Sequence, residues 1–181
     1  MRFEKVSYET WRRDLEKCHI SEKWHVDKSE SYWEKLYSEI KLPQRATERS
    51  ACYDFYLPCP INVPDHCSIL VPSGIRWIPD DPVQMFGRVF DWELKLYIRS
   101  SPAIKHGMRV TTATTIVDAD YYLNDKNEGD IMLSLENTWS VMKKYNAGDR
   151  VIQGGISLCT FVNNDKPKKK LRTGGIGSTG V

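Results

Sequence analysis

After Leu42 and Pro43 the chain becomes a series of short apolar runs, each ended by Pro, Gly, Asn or Asp. Runs of this kind between turn-forming residues are typical of β-strands. The predicted strands cover residues 52–57, 66–70, 94–98, 108–110, 131–135 and 151–161. Because no long helical pattern separates them, they predict a mainly β fold of the sandwich, jelly-roll or barrel type.

The N-terminal part of the chain carries helix signals instead. Ser31 and Glu34 form a capping-box pattern, and Tyr8, Trp11 and Leu15 recur at helical spacing. Such aromatic stripes are more often packing surfaces than ligand sites. The predicted organisation is a helical extension over 1–41, a β domain over 42–162 and a flexible C-terminal arm over 163–181.

Composition excludes several classes of protein. The 181 residues are 40% hydrophobic with a net charge of +2, so no global field attracts nucleic acid or a membrane surface. The five cysteines form no CxxC pair, and neither a signal peptide nor a membrane-length apolar run is visible. We therefore expect a cytoplasmic protein with free thiols, without a membrane partner and without stable nucleic-acid binding.

The segment 172–180 places four glycines, three hydroxyl residues and an arginine close together. Glycine reaches backbone angles that turn successive N–H groups inward, around the oxygens of a phosphate. Lys166 and the lysines at 168–170 come just before it, as either a solvated tail or a means of steering a polyphosphate. The segment is a candidate phosphate clamp.

Five short segments, in this order, resemble the five motifs of the trimeric dUTPase family. They are Ser-Ala-Cys-Tyr-Asp-Phe at 50–55, Arg-Ser-Ser at 99–101, Ile-Val-Asp-Ala-Asp-Tyr at 116–121, Gly-Asp-Arg-Val-Ile-Gln at 148–153, and 172–180. The resemblance covers roughly 42–181 and implies a dUTPase-like jelly-roll or barrel. It also implies a homotrimer that hydrolyses dUTP to dUMP and pyrophosphate. Residues 122–129 look like an insertion shared with longer bacterial and phage forms.

The resemblance assigns a role to each candidate site residue. Asp118 is expected to be the base that directs water at the α-phosphate, and Tyr121 to lie against the deoxyribose and exclude a 2′-hydroxyl. The remaining sugar or base contacts are expected from Thr112, Ile116 and Ile176. The phosphate-binding residues are expected to be Arg99, Ser100, Ser101, Gln153, Arg172, Gly174, Gly175, Gly177, Ser178 and Thr179.

The cofactor implied by the resemblance is Mg²⁺, held mainly by the triphosphate itself. No direct protein ligand is expected, and Asp54 contacts at most the water molecules on the ion. In the family three subunits build each site, and the C-terminal arm of one closes over a pocket made by the others.

The departures from the family cluster around the base. Thr112 stands where the family usually has Asn, and Ile176 where a Phe would stack on uracil. Two functions therefore stay open: a dUTPase, or a dUTPase-like protein with altered or lost nucleotide specificity that binds or regulates a partner, with 1–41 as the candidate contact. Ser134 replaces the catalytic Glu of the sister dCTP deaminases, which disfavours deamination.

Overall fold

The computed structural model describes residues 1–18 and 29–167, and most of their regular structure is β. The strands are β1 (Arg2–Lys5), β2 (Gln44–Arg45), β3 (Cys52–Tyr56), β4 (Ile61–Val63), β5 (Ser68–Pro72), β6 (Ile75–Ile78), β7 (Val83–Met85), β8 (Arg88–Ile98), β9 (Met108–Arg109), β10 (Thr115–Asp118), β11 (Met132–Asn137), β12 (Lys143–Tyr145) and β13 (Arg150–Thr160). The helices are α1 (Tyr8–Lys17), α2 (Glu30–Glu39) and α3 (Ser100–His106), with a 3₁₀ turn at Ala119–Tyr121. The predicted mainly β fold is confirmed.

The largest sheet has the strand order β10-β8-β13-β3-β2, with β7 added beside β8. Smaller sheets pair β11 with both β5 and β9, β12 with β4, and β1 with β6. Every strand pairing is antiparallel. Each run predicted as a strand overlaps one in the structure. The short strands β1, β2, β4, β6, β7, β10 and β12 were not predicted, because two to four residues carry too little alternation to be recognised.

The register of the large sheet positions the polar residues of the predicted motifs. Gln153 on β13 lies between Asp54 on β3 and Tyr97 on β8. One position further along β13, a Cβ on Gly154 would come within 2.9 Å of side-chain atoms of Phe55 and Leu94. Glycine at position 154 therefore leaves room for the side chains of Phe55 and Leu94, which come from the two strands that flank β13.

The N-terminal segment packs into the same core as the β-sheets. The side chains of Trp11, Leu15 and Trp33 are fully buried, and the Trp11 indole N–H donates to the carbonyl of Pro72 at 3.2 Å. The predicted aromatic stripes are thus packing surfaces. The boundaries at residues 41 and 162 stay predictions.

The capping box predicted at Ser31 and Glu34 is wrong. Helix α2 begins at Glu30, so Ser31 lies inside its first turn, and the N-cap is Ser29, in an extended conformation. Helix α1 has the side-chain cap: the Ser7 hydroxyl accepts from the backbone N–H of Thr10. Two serines stand beside the start of α2, and the sequence pattern alone favours the wrong one.

The five cysteines are all free, as expected. Within the described parts of the chain, no helix has the length and apolar character needed to cross a membrane.

Candidate active site

A buried carboxylate connects two of the motifs that are predicted to bind phosphate. Asp54 on β3 is 5% exposed, and its two oxygens lie 2.8 Å from Nε of Arg99 and 3.1 Å from Nη1 of Arg150. Arg99 also donates to the carbonyl of Arg150 at 3.2 Å. Charge-assisted bonds to both oxygens hold the two guanidinium groups in fixed orientations.

These cations line a polar cavity of about 360 Å³. Arg99, Arg150 and Lys144 surround it, together with Ser101 and His106. A hydrogen bond of 2.9 Å joins Nδ1 of His106 to the hydroxyl of Tyr145. Burial raises the pKa of Tyr145 to about 12, and the charge of Asp149 adds to this shift. A cavity with three cationic side chains suits a polyphosphate.

Two other predicted phosphate ligands lie beside this cavity. Ser100 is exposed at the start of α3, next to Ser101. Gln153 is half-buried and lies opposite Asp54 in the sheet, so the register brings it near the arginine pair. The second and fourth motifs thus meet at one end of the large sheet.

A separate cavity of about 580 Å³ lies against the loop between β9 and β10. Thr112 and Ile116 line it, with Leu70 and Ser134 from the β5–β11 sheet. The Thr112 hydroxyl donates to the carbonyl of Thr114 at 3.2 Å, inside its own loop. The lining is mainly apolar side chain and hydroxyl, which suits the flat surface of a nucleobase.

Asp118 ends β10 and is exposed. It shares one face of the strand with Ile116, while Val117 between them is buried. Two positions along a strand span about 7 Å, so the Asp118 carboxylate lies within one nucleoside length of the cavity lined by Thr112 and Ile116, the candidate base cavity. Asp118 also lines a cavity of about 360 Å³ with Trp92, Glu93 and other residues of β8 and β13.

Tyr121 is 6% exposed and its hydroxyl is anchored inside the protein. The hydroxyl donates to the carbonyl of Asp130 at 2.9 Å and accepts from Nδ2 of Asn127 at 2.9 Å. The hydroxyl is therefore fully engaged within the protein.

The candidate base cavity lies close to Asp118. Both are far from Arg99 and Arg150, the two arginines that pair with Asp54. Asp118 lies beside Glu93 on β8, six positions before Arg99. Six positions of extended strand correspond to about 20 Å. Because a phosphate ligand must approach within hydrogen-bond distance, Arg99 and Asp118 of one chain do not reach the same phosphoryl group.

A sequence model described as dUTPase matches residues 38–180. The chain belongs to the dUTPase family. Over 143 residues it is 32% identical to the deoxyuridine 5'-triphosphate nucleotidohydrolase of Lactococcus lactis, covering 78% of this chain and 89% of the relative. The family resemblance carried by the five motifs is thereby confirmed.

Solved dUTPase structures share the fold. The dUTPase of Streptococcus mutans superposes with a TM-score of 0.60 at 25% identity, over 92% of this chain and all of that one. A mutant dUTPase of phage phi11 of S. aureus, described with a structural Mg(II) ion, gives a TM-score of 0.53 at 15% identity over 76% of this chain and 95% of that one. The second likeness bears on the fold alone.

A magnesium ion bound only by protein would need several oxygen ligands grouped together. Among residues 1–18 and 29–167, no three His, Cys, Asp or Glu side chains are grouped so that they could hold a metal. Both oxygens of Asp54 face guanidinium groups, so this carboxylate is not arranged as a ligand. Residues 1–18 and 29–167 therefore form no all-protein cage for Mg²⁺, an ion that usually binds through one or two carboxylates together with substrate phosphates.

The dUTPase arm lies outside the described residues. This applies to the predicted contacts Arg172, Gly174, Gly175, Ile176, Gly177, Ser178 and Thr179. Conversely, sequence reasoning assigned no role to Arg150, Lys144 or His106, although Arg150 stands inside the fourth motif. Its pairing with Asp54 joins positions 96 residues apart, so no local signal could have found it.

Proposed function

We propose that this member of the dUTPase family hydrolyses dUTP to dUMP and pyrophosphate, with Asp118 as the general base. The carboxylate accepts a proton from a water molecule whose oxygen attacks the α-phosphorus. The bond from that phosphorus to the bridging oxygen breaks, and pyrophosphate leaves with the electron pair. The position of Asp118 on the same strand face as Ile116, beside the base cavity, carries this proposal.

The leaving pyrophosphate needs cationic and hydrogen-bonding partners. Arg99 supplies a guanidinium held by Asp54, while Ser100, Ser101 and Gln153 supply hydroxyl and amide donors. Arg150 and Lys144 join them because they line the same cavity. The arm is proposed to add Arg172, Gly174, Gly175, Gly177, Ser178 and Thr179.

Magnesium is proposed to enter as part of the substrate, in the Mg²⁺ complex of dUTP. The ion screens the charge of the triphosphate oxygens when bound. Asp54 acts through Arg99 and Arg150, since its oxygens lie on these two groups.

A homotrimer is proposed to complete each site. The separation of about 20 Å between Asp118 and Arg99 along β8 supports this assembly, because the proposal places both residues on one triphosphate, Asp118 at the α-phosphate and Arg99 at the leaving pyrophosphate. One subunit would supply Thr112, Ile116, Asp118 and Tyr121, and another the arginine cavity. A cytoplasmic location is proposed from the free thiols.

The contacts of Thr112 support a second candidate function, in which the nucleotide specificity is changed. The Thr112 hydroxyl is bound within its own loop, so it does not replace the two-point readout of an amide. We propose that backbone groups of the loop and packing by Ile116 and Ile176 read uracil. A broader or lost nucleotide specificity is the alternative.

Pyrophosphate release with Mg²⁺ from dUTP, dTTP, dCTP, dATP and UTP tests these proposals. Turnover of dUTP alone supports the dUTPase, a broader set supports altered specificity, and no turnover of any substrate overturns the enzymatic proposal. Asp118→Asn should abolish turnover while nucleotide binding persists. Asp125→Asn, which changes an exposed carboxylate in the following loop, is the matched control and should keep full activity.

A further inference from the structure

The loop that follows Tyr121 is tied to helix α1, which lies outside the residues matched by the family model. Arg13 donates to the carbonyl of Lys126 at 2.6 Å, and Glu128 receives hydrogen bonds from the first turn of the helix. The N-terminal helix therefore contacts the loop that begins directly after the predicted sugar contact.

Asn127 connects this loop to the Tyr121 hydroxyl. It is 7% exposed, and its Nδ2 donates to the Tyr121 hydroxyl at 2.9 Å and to the Asp130 carbonyl at 3.1 Å. Its Oδ1 accepts from Nδ2 of Asn124 at 2.7 Å and from the N–H of Gly129 at 3.3 Å. With both ends of the amide engaged, Asn127 has a single orientation and fixes the far end of the tyrosine ring.

Glu128 connects the same loop to helix α1. Its carboxylate accepts from the Ser7 N–H at 3.0 Å, from the Ser7 hydroxyl and from the Thr10 hydroxyl at 2.7 Å. Arg76 lies 3.5 Å away. Burial acts to raise the Glu128 pKa, but the bonds from Ser7 and Thr10 and the charge of Arg76 outweigh it, so the pKa is lowered. The carboxylate is thus held as an anion at the positive end of α1.

The backbone also indicates that the loop is held in place by its surroundings. Leu123 and Glu128 have φ angles of 52° and 55°, in the left-handed region that non-glycine residues rarely adopt. Such conformations persist where neighbouring contacts over-determine them. The contacts of Glu128 with α1 are of this kind, and α1 in turn is fixed by the buried side chains of Trp11 and Leu15.

We propose that Asn127 and Glu128 are positioning residues that set the orientation of Tyr121, so that discrimination against ribonucleotides depends on the N-terminal helix. The connection runs from Ser7 and Thr10 through Glu128 to Asn127, and from there to the Tyr121 hydroxyl. The inference rests on the proposed function of Tyr121 as the sugar contact. A displaced ring leaves room for a 2′-hydroxyl and lowers selectivity for deoxyribose.

The first test compares Glu128→Ala with Glu4→Ala in the full-length enzyme. Glu4 also pairs with Arg76, at 2.9 Å, and it lies ahead of helix α1, so it is a matched control that leaves the loop contacts in place. The readout is the ratio of kcat/KM for dUTP to that for UTP. Glu128→Ala should lower this ratio about tenfold, as the loss of one to two hydrogen bonds predicts, while Glu4→Ala leaves it within about twofold. An unchanged ratio in folded Glu128→Ala protein overturns the proposal.

A second pair separates the hydrogen bond from general packing. Thr10→Val keeps the shape of the buried side chain but removes the donor to Glu128, whereas Thr10→Ser keeps the hydroxyl. We expect Thr10→Val to lower the ratio of kcat/KM for dUTP to that for UTP, and Thr10→Ser to keep the ratio close to that of wild type. Equal ratios in the two variants overturn it, even where Glu128→Ala fails to fold.

Amide hydrogen exchange over residues 119–131 tests the positioning role of Glu128 without a measurement of activity. Glu128→Ala should accelerate exchange there and Glu4→Ala should not. If the wild-type enzyme shows no turnover of dUTP, the proposed function fails while the exchange result still tests the connection. If dUTP turns over and neither ratio nor exchange changes, the connection fails and the proposed function stands.

Discussion

The carboxylate of Asp54 lies 2.8 Å from Nε of Arg99 and is almost completely buried. An anion of this kind is stabilised only while its cationic partners stay in place, and the partners are equally constrained by it. Asp54 therefore determines where two guanidinium groups point, although substrate need never touch it.

Removing the charge of Asp54 should weaken phosphate binding more than chemistry. In Asp54→Asn the side chain loses its charge and one of its two acceptor oxygens, so Arg99 and Arg150 can no longer both be held, and we expect KM for dUTP to rise about tenfold with a smaller change in kcat. The free energy of unfolding should fall by about 2 kcal/mol. Steady-state kinetics and urea unfolding check both effects, with the exposed Asp65→Asn as control. A KM equal to that of wild type would contradict the orienting role.

The N-terminal segment should contribute strongly to stability. Trp11 is fully buried and its indole N–H donates to Pro72, so Trp11→Ala removes both packing and a hydrogen bond. We expect a loss of about 3–5 kcal/mol in the free energy of unfolding. Phe86→Ala is a suitable control because Phe86 is 95% exposed, and it should change stability by less than about 0.5 kcal/mol. Similar values for the two variants would show that the extension is not part of the cooperative core.

The sequence was informative where neighbouring residues carry the signal. Thr112, Ile116 and Asp118 fall within seven consecutive positions, and the structure places them in one continuous segment, with Thr112 in the loop after β9 and the other two on β10. In the large sheet this holds for β13, which was predicted over almost its whole length, whereas only residues 94–98 of β8 were predicted.

Contacts between distant segments were not predictable. Ser7 and Glu128 are 121 positions apart, and nothing in either local pattern indicates that one binds the other. The same holds for strand β1, which exists because it pairs with β6 and not because its four residues favour a strand. The local strand propensity of such short segments is weak, so whether they form a strand depends mainly on pairing with a distant segment.

Stability should depend on pH through Asp130. Burial raises the pKa of this carboxyl well above its usual 3.8, and the charge of Asp14 raises it further, while bonds from Gly74 and Ser73 act against the shift. An acid with a raised pKa in the folded state binds its proton more tightly there. It therefore costs no stability below about pH 4, the value of the unfolded chain, and costs progressively more as pH rises toward the folded pKa.

Asp130→Asn should remove this cost. The amide keeps the shape and has no charge to bury beside Asp14, so the variant should match wild type near pH 4 and exceed its free energy of unfolding at pH 8. Lys17 and Cys18 also lie near Asp14, and both are unchanged in the variant. Urea unfolding at several pH values gives the comparison. A variant that is less stable than wild type at pH 8 would show that the Asp130 charge is compensated.

Sharing of each site between subunits predicts that two inactive variants restore one another. Asp118→Asn lacks the base and Arg99→Ala lacks the phosphate ligand, and the two positions lie about 20 Å apart in one chain. The two variants are unfolded and refolded together, so that their subunits mix. A site is then intact when the subunit that supplies residue 118 is the Arg99→Ala variant and the subunit that supplies residue 99 is the Asp118→Asn variant. Random association makes this true of about a quarter of the sites, so the mixture should recover about a quarter of the wild-type rate. Refolding each variant alone is the control and should give no recovery. If the mixture stays as inactive as its components, each site is built within one chain and the separation seen along β8 must be closed by some rearrangement on binding.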